Sequence, residues 1–259
     1  MSNLNIALIL GCARSGTSIL GEMIGAHPDV RYKHEAHSIW NKAGEGENAS
    51  HRLTKAHATE EITRKIRRKF STEQGLAKLM VEKCPRSAVR VPFIRKVLPE
   101  AKLIHIIRDG RDVTCSMLPG VGGDEWRHLK PANWQELMRD YKGAIRCAHA
   151  WKTVLEIAQE DLKDAPHLTV RYEELVDDPR AVAKKIMRYL EVDESREVYN
   201  FCEKIQNKTR DSYQAGKQEK WFRDNHNVRV GRWKENLSAE DAEQVEAILE
   251  PMLKRLEYL

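Results

Sequence analysis

The chain has 259 residues, 41% hydrophobic and 32% charged, with a formal net charge of +5. That length allows one large α/β domain with an ample core or two small ones. Lys and Arg alternate with acids throughout, so the charge suits a small polyanionic ligand and argues against nucleic acid as a partner.

No low-complexity linker, charge block or internal repeat marks a boundary, so residues 1–259 read as a single domain. The five cysteines, at 12, 84, 115, 147 and 202, show no CxxC spacing and read as reduced thiols of a cytoplasmic chain. The N-terminus has no basic leader, its apolar run is too short for a signal peptide, and no stretch approaches the length of a membrane span.

Ile6 to Leu10 is an unbroken apolar run of the kind that forms a strand buried on both faces. Gly11 breaks it, and Ser15-Gly16-Thr17-Ser18 leads into Ile19, Leu20, Met23 and Ile24, a helical pattern. A strand, a small-residue loop and a helix opening with hydroxyls cradle an anion on converging N–H groups. The loop resembles a P-loop, but a nucleotide triphosphatase needs Lys directly after the second glycine; here Thr17 follows Gly16 and the cation is Arg14. The RSGTS pattern after an N-terminal strand resembles the 5′-phosphosulfate loop of sulfotransferases. That family binds adenosine 3′-phosphate 5′-phosphosulfate (PAPS).

Gly25-Ala26-His27-Pro28 ends the helix, and Val30 to Tyr32 predicts a second strand. In KHEAHSIW, residues 33–40, the spacing of His34, Glu35 and His37 is not HExxH and further ligands are missing, so no metal is expected. Glu35 stands out by position, after a strand beside the phosphate loop, where a side chain enters a site at the carboxyl edge. The stretch AHPDVRYKHE resembles the segment of protein-tyrosine sulfotransferases that carries a catalytic glutamate, with Glu35 at the matching place and His34 and His37 as competing bases.

Residues 41–57 predict a loop, and 58–70 a helix with Ile62, Ile66 and Phe70 on its apolar face and a basic face opposite. Lys78 to Glu82 predicts a strand that Pro85 stops. Sulfotransferases place a lysine at this strand end against the transferring sulfuryl group, which implies that role for Lys83. The cytosolic members carry a catalytic histidine two residues later, where this chain has Pro85, and this favours Glu35 as the base. A helix over 87–98 and a strand over 102–107 follow, then a helix bearing Ser116. LIHIIRDGRDVTCSM resembles the 3′-phosphate motif of sulfotransferases, an arginine at a strand end and a serine eight residues on; Arg108 and Ser116 have that spacing. A planar guanidinium fork and a neutral hydroxyl donor suit a phosphate.

Pro119 to Pro131, with Trp126 and His128, is a candidate acceptor lid. A long helix is predicted over 133–161, its apolar face including Trp134, Tyr141, Ile145 and Leu155. A strand over 168–172 enters VRYEELVDDP, a string typical of the family, in which Tyr172 lies beside the adenine or packs at the sheet edge. Helices over 180–190 and 195–205 and a basic stretch over 207–227 come next. VGRWKENLS, residues 230–238, resembles the C-terminal GxWK element that closes over the nucleotide. The Arg-Lys-Gly that usually precedes it is absent, leaving Lys217, Arg229 and Arg232 as candidate replacements. Ser238 caps a final helix to about residue 256.

Apolar runs alternating with helices, with candidate residues at four strand ends, predict a single α/β domain. Its central parallel β-sheet is flanked by helices in a P-loop NTPase-like topology. The resemblance implies sulfuryl transfer from PAPS to a hydroxyl, less readily an amine, of a small-molecule, sugar, lipid or peptide acceptor, leaving adenosine 3′,5′-bisphosphate (PAP). It implies Glu35, Lys83 and Arg14 as catalytic residues and no metal. Arg14, Ser15, Gly16, Thr17, Ser18, Arg108, Ser116, Tyr172, Arg229 and Arg232 would hold the nucleotide. Monomer and homodimer remain open. A P-loop kinase or a non-catalytic nucleotide-binding module would share the fold, and the kinase should carry Lys at position 17.

Overall fold

A computed structural model of the chain describes residues 4–41, 49–206 and 230–259. Its strands are β1 (Ile6–Leu10), β2 (Val30–His34), β3 (Leu79–Lys83), β4 (Lys102–Ile107) and β5 (His167–Arg171). They form one 5-stranded sheet in the order β2-β3-β1-β4-β5, with every neighbouring pair parallel. The first half of the chain supplies α1 (Thr17–Gly25), α2 (His37–Trp40), α3 (Glu60–Gln74), α4 (Val91–Val97), α5 (Gly110–Met117) and α6 (Trp134–Asp140). The second supplies α7 (Gly143–Leu162), α8 (Tyr172–Asp177), α9 (Pro179–Leu190), α10 (Arg196–Gln206), α11 (Trp233–Asn236) and α12 (Ala239–Arg255). None of the described helices is long and apolar enough to cross a membrane.

β1 is uninterruptedly apolar because both of its faces are covered. Ala7 and Ile9 enter a layer with Val81, Ile104, Ile106 and Val170 beneath α1, α9 and α10. Leu8 and Leu10 enter the opposite layer with Met80, Leu103, Phe93 and Trp151, beneath α4, α5, α7 and α12. The parallel α/β architecture expected from the alternating pattern is the one observed, as is the Ser238 cap, whose Oγ accepts the Asp241 N–H at 3.1 Å.

Three expectations change. The helix expected over 133–161 is two, α6 and α7, separated by extended Tyr141 (ψ 159) and Lys142 (ψ 167), with α7 opening on Gly143 at φ 56. Buried Arg146 closes the break: its guanidinium donates to the carbonyls of Tyr141 at 2.6 Å, Met138 at 3.0 Å, Val121 at 3.0 Å and also Gly123. Apolar periodicity runs on through the break, so the pattern did not register it. The helix expected over 87–98 is a 3₁₀ turn at Pro85–Val89 followed by α4, interrupted at Arg90 (φ −134). Arg90 leaves the helical region while its buried Nε donates to the His51 carbonyl at 2.9 Å. Tyr172 opens α8 instead of ending β5.

Trp151 of α7 is 1% exposed, and its ring lies against Gly110 of α5 and beside Leu249 of α12, so that a Cβ on Gly110 would meet ring carbon at 2.7 Å. Trp151→Ala should cost about 3–5 kcal/mol of unfolding free energy, as expected for a large core side chain removed from between three helices. Urea unfolding measures it; a loss below 1 kcal/mol would show that α5 and α12 do not depend on this contact.

Candidate active site

The sheet order places β1 between β3 and β4, where the chain's direction of progress across the sheet reverses. In open parallel sheets the carboxyl ends at such a point form a crevice. β1 runs into a tight loop. A Cβ on Gly11 would lie 2.5 Å from the Ile106 carbonyl oxygen, so the loop must pass close against β4. Arg14 (φ 72) and Gly16 (φ 95) are left-handed, and Ser15 and Thr17 are buried. α1 then begins without a side-chain cap, whereas Thr59, Asp109, Asp178 and Ser238 cap α3, α5, α9 and α12. An uncapped first turn leaves N–H donors and the positive end of the helix dipole facing the loop, a setting suited to an anion. Ser18 is half-buried on that turn.

Arg14 and Ser116, 102 positions apart, meet in a hydrogen bond of 3.0 Å, Nε of Arg14 donating to the serine Oγ. Arg108 donates from Nη1 to the Arg14 carbonyl at 3.1 Å and lies 4.3 Å over the Tyr172 ring. Tyr172 in turn presses on the loop: a Cβ on Gly16 would meet its ring at 2.4 Å. Arg232, 8% exposed, completes the cluster. Burial, then the like charges of Arg108 and Arg14, pull its pKa below the ordinary value against Cys115 and Asp112. Its buried Nε has no hydrogen-bond partner among the described residues. A cluster with a surplus of positive charge and an orphaned donor fits a bound phosphate.

A second cluster stands at the ends of β2 and β3, which pair so that His34 lies opposite Lys83, itself opposite Ile9 of β1. The Lys83 side chain is 1% exposed and its ammonium donates to Glu35 Oε1 at 2.6 Å and to His34 Nε2 at 2.9 Å. An ammonium only donates, so His34 Nε2 is the unprotonated nitrogen. Burial and Lys83 lower the His34 pKa. The other oxygen of Glu35 accepts from His37 Nε2 at 3.0 Å. Burial alone would raise the Glu35 pKa, but the His37 hydrogen bond and the charge and hydrogen bond of Lys83 hold it well below the usual carboxylate range. Glu35 itself is left-handed at φ 45.

The backbone that carries Glu35 is fixed from below by Glu82, which the sequence reading did not single out. Its fully buried Oε1 accepts the Ala36 N–H at 3.0 Å and the Trp40 indole N–H at 3.1 Å, while Oε2 has no partner among the described residues. Burial outweighs those bonds and pushes the Glu82 pKa up to about 7. The one acid inside the apolar strand LMVEK was its signal. His128 packs on Gly120, and burial, then Arg14, lowers its pKa to about 4 against the pull of Glu35. His51 Nδ1 accepts the Lys130 N–H at 2.8 Å. Lys217 and Arg229 lie outside the described residues.

The sequence model described as the sulfotransferase family matches residues 7–197. Protein-tyrosine sulfotransferase 1 of Danio rerio is 27% identical over 203 residues, covering 72% of this chain and 53% of that protein. The protein-tyrosine sulfotransferase of Drosophila melanogaster is 27% identical over 204 residues, covering 72% and 38%. The chain thus spans about half or less of the length of these relatives. Among solved structures, the sulfotransferase domain from the curacin biosynthetic pathway superposes with a TM-score of 0.62 at 15% identity, over 96% of this chain and 99% of that one. A mouse sulfotransferase complexed with PAP gives 0.53 at 15% identity, over 98% and 86%. These two likenesses show a shared fold.

Glu82 supplies a test of the cluster's electrostatics. Its folded pKa lies above the ordinary value, so it favours the folded state below about 4.5, and that contribution is lost as pH rises through about 7. Glu82→Gln keeps an acceptor for the Ala36 and Trp40 N–H groups and cannot ionise. Between pH 5 and 8.5 the wild type should lose on the order of 2–3 kcal/mol that the variant does not lose, read by chemical unfolding across pH. Parallel pH profiles would show that Glu82 is not the buried acid.

Proposed function

Since the chain belongs to the sulfotransferase family, we propose that it catalyses sulfuryl transfer from PAPS to an acceptor hydroxyl, with PAP as product. The observation that carries the reading is the convergence of Arg14, Arg108 and Arg232 on the uncapped start of α1. The ionised Glu35 stands at the neighbouring strand ends. Arg108, Ser116 and Arg232 are positioned to hold the 3′-phosphate, and the loop from Gly11 to Thr17 the phosphosulfate. A kinase reading lacks a lysine at position 17, where this chain has Thr17.

In the proposed reaction Glu35 accepts the acceptor's hydroxyl proton as that oxygen bonds to sulfur. The bond from sulfur to the bridging oxygen breaks, and its electron pair leaves on PAP. Lys83, Arg14 and the loop N–H groups stabilise the charge that grows on the sulfuryl and bridging oxygens. As long as Lys83 contacts Glu35 the carboxylate is a weak base; drawing the ammonium toward the sulfuryl group raises its proton affinity as the donor is engaged. No metal is assigned a role, because the fixed cations supply the positive charge. The acceptor face is built from the loop bearing Trp126 and His128. The relatives' name makes the tyrosine phenol of a peptide the first acceptor to try, ahead of sugars and lipids.

PAP should raise the melting temperature clearly, and AMP, which lacks the 3′-phosphate, much less. Arg108→Ala should weaken PAP binding on the order of tenfold to a hundredfold, as for a lost charge-assisted contact. Equal shifts from both nucleotides would remove the 3′-phosphate assignment.

Glu35→Gln preserves shape and removes basicity. PAP affinity should survive while turnover falls by roughly a hundredfold to ten-thousandfold, the usual contribution of a positioned base. Sulfated product is followed by mass spectrometry over a panel of phenols, peptides, sugars and lipids. His34→Ala and His37→Ala serve as controls: near-full activity in Glu35→Gln beside a dead histidine variant would move the base to that imidazole.

A further inference from the structure

Asp112 follows Arg108 by one helical turn on α5, and its side chain is fully buried. Among the described residues its hydrogen bonds go neither to a guanidinium nor to its own helix. Oδ2 accepts the N–H of Gly231 at 2.9 Å, and Oδ1 accepts the N–H of Trp233 at 3.1 Å, residues 119 and 121 positions away. The residue between these two anchors is Arg232. Gly231 turns the chain there at φ 77. Arg111 lies 4.5 Å over the Trp233 ring and is itself paired with Asp109 at 2.8 Å and Glu246 at 2.6 Å. The Arg108 guanidinium approaches Asp112 only to 3.8 Å, an ion pair beyond hydrogen-bonding distance.

This arrangement answers a physical difficulty. Arg14, Arg108 and Arg232 repel one another, and a short segment free to move would carry Arg232 out to water. Two N–H bonds to one buried carboxylate fix the backbone on either side of that arginine, and the carboxylate's charge offsets part of the repulsion. We propose that Asp112 is a positioning residue for the nucleotide. By clamping the Gly231 and Trp233 amides it sets Arg232 facing Arg108, so that a 3′-phosphate is gripped from two distant stretches of chain. The proposal rests on the nucleotide reading above and assigns the clamp to a residue that does not itself touch the ligand.

The experiment uses the full chain and four variants: Asp112→Asn, Asp112→Ala, Arg232→Ala and the Asp112→Ala/Arg232→Ala double. PAP and AMP affinities are measured by calorimetry, and amide exchange at Gly231 and Trp233 in the nucleotide-free protein. Exchange at both amides should be at least about tenfold faster in Asp112→Ala than in the wild type. PAP should bind about tenfold to a hundredfold more weakly to either single alanine variant. The double variant should be no worse than Arg232→Ala within about threefold, since both changes remove one grip. AMP affinity should stay level throughout. Asp112→Asn retains one acceptor and should fall between; it carries the comparison where the alanine variant does not fold. An Asp112 penalty that persists in full on the Arg232→Ala background overturns the proposal, because the carboxylate would then act through Arg108. Unchanged exchange at Gly231 and Trp233 overturns it as well. Failure of the wild type to bind PAP overturns the nucleotide reading, and this proposal with it, an outcome distinct from either of the other two.

Discussion

A lysine ammonium with 1% of its side chain exposed has to be neutralised where it stands. Burying such a charge costs several kcal/mol, and only close, well-oriented partners offset it. At Lys83 those partners are Glu35 and His34, and the demand propagates outward. Glu35 meets the ammonium from a left-handed backbone, a conformation uncommon for a residue with a side chain. That turn is kept in place because Glu82, on the opposite face of the same strand, takes the next backbone N–H and the Trp40 indole. Trp40 is in turn wedged edge-on against Phe70 of α3 and Phe93 of α4. The acid–base cluster is thus the exposed end of a line of constraints that begins in the hydrophobic core.

What could be read in the sequence was what is local. Ile6–Leu10 announced itself because a strand covered on both faces shows an unbroken apolar run, and the 102–107 strand did so in spite of its one interior polar residue, His105. Arg108 and Ser116 were legible as a pair through the resemblance of LIHIIRDGRDVTCSM to a family motif whose spacing they share. Glu35 and Lys83 could be nominated singly, but not as partners, since strand register brings them together across 48 positions. Asp112 was invisible for the same reason: nothing in RDGRDV says that its second acid faces backbone 119 residues away. The break between α6 and α7 escaped because Arg146, a charged residue in a helical pattern, looks like surface, while two of its acceptors, the carbonyls of Val121 and Gly123, belong to another segment.

The thiols beside the anion site show how burial and charge are balanced there. Cys115 lies near Arg232 and Arg108, either of which would promote a thiolate, yet burial dominates and pushes its pKa up to about 12. Cys147 is likewise pushed up to about 12 by burial, against the pull of Arg146. Burial thus outweighs the pull of the neighbouring arginines at both thiols.

The two ends of the loop over residues 119–131 are tied down differently. At one end the Arg146 guanidinium gathers the carbonyls of Val121 and Gly123, and a guanidinium keeps its proton at any ordinary pH. At the other, His51 receives the Lys130 amide on a ring nitrogen that must stay bare, and burial, then Arg86, lowers its pKa to about 3. Neither fastening changes its protonation state across the range in which most proteins operate. The loop is consequently held in the same way across that range, and on the proposed reading the contour of Trp126 and His128 meets an acceptor as a wall already in place.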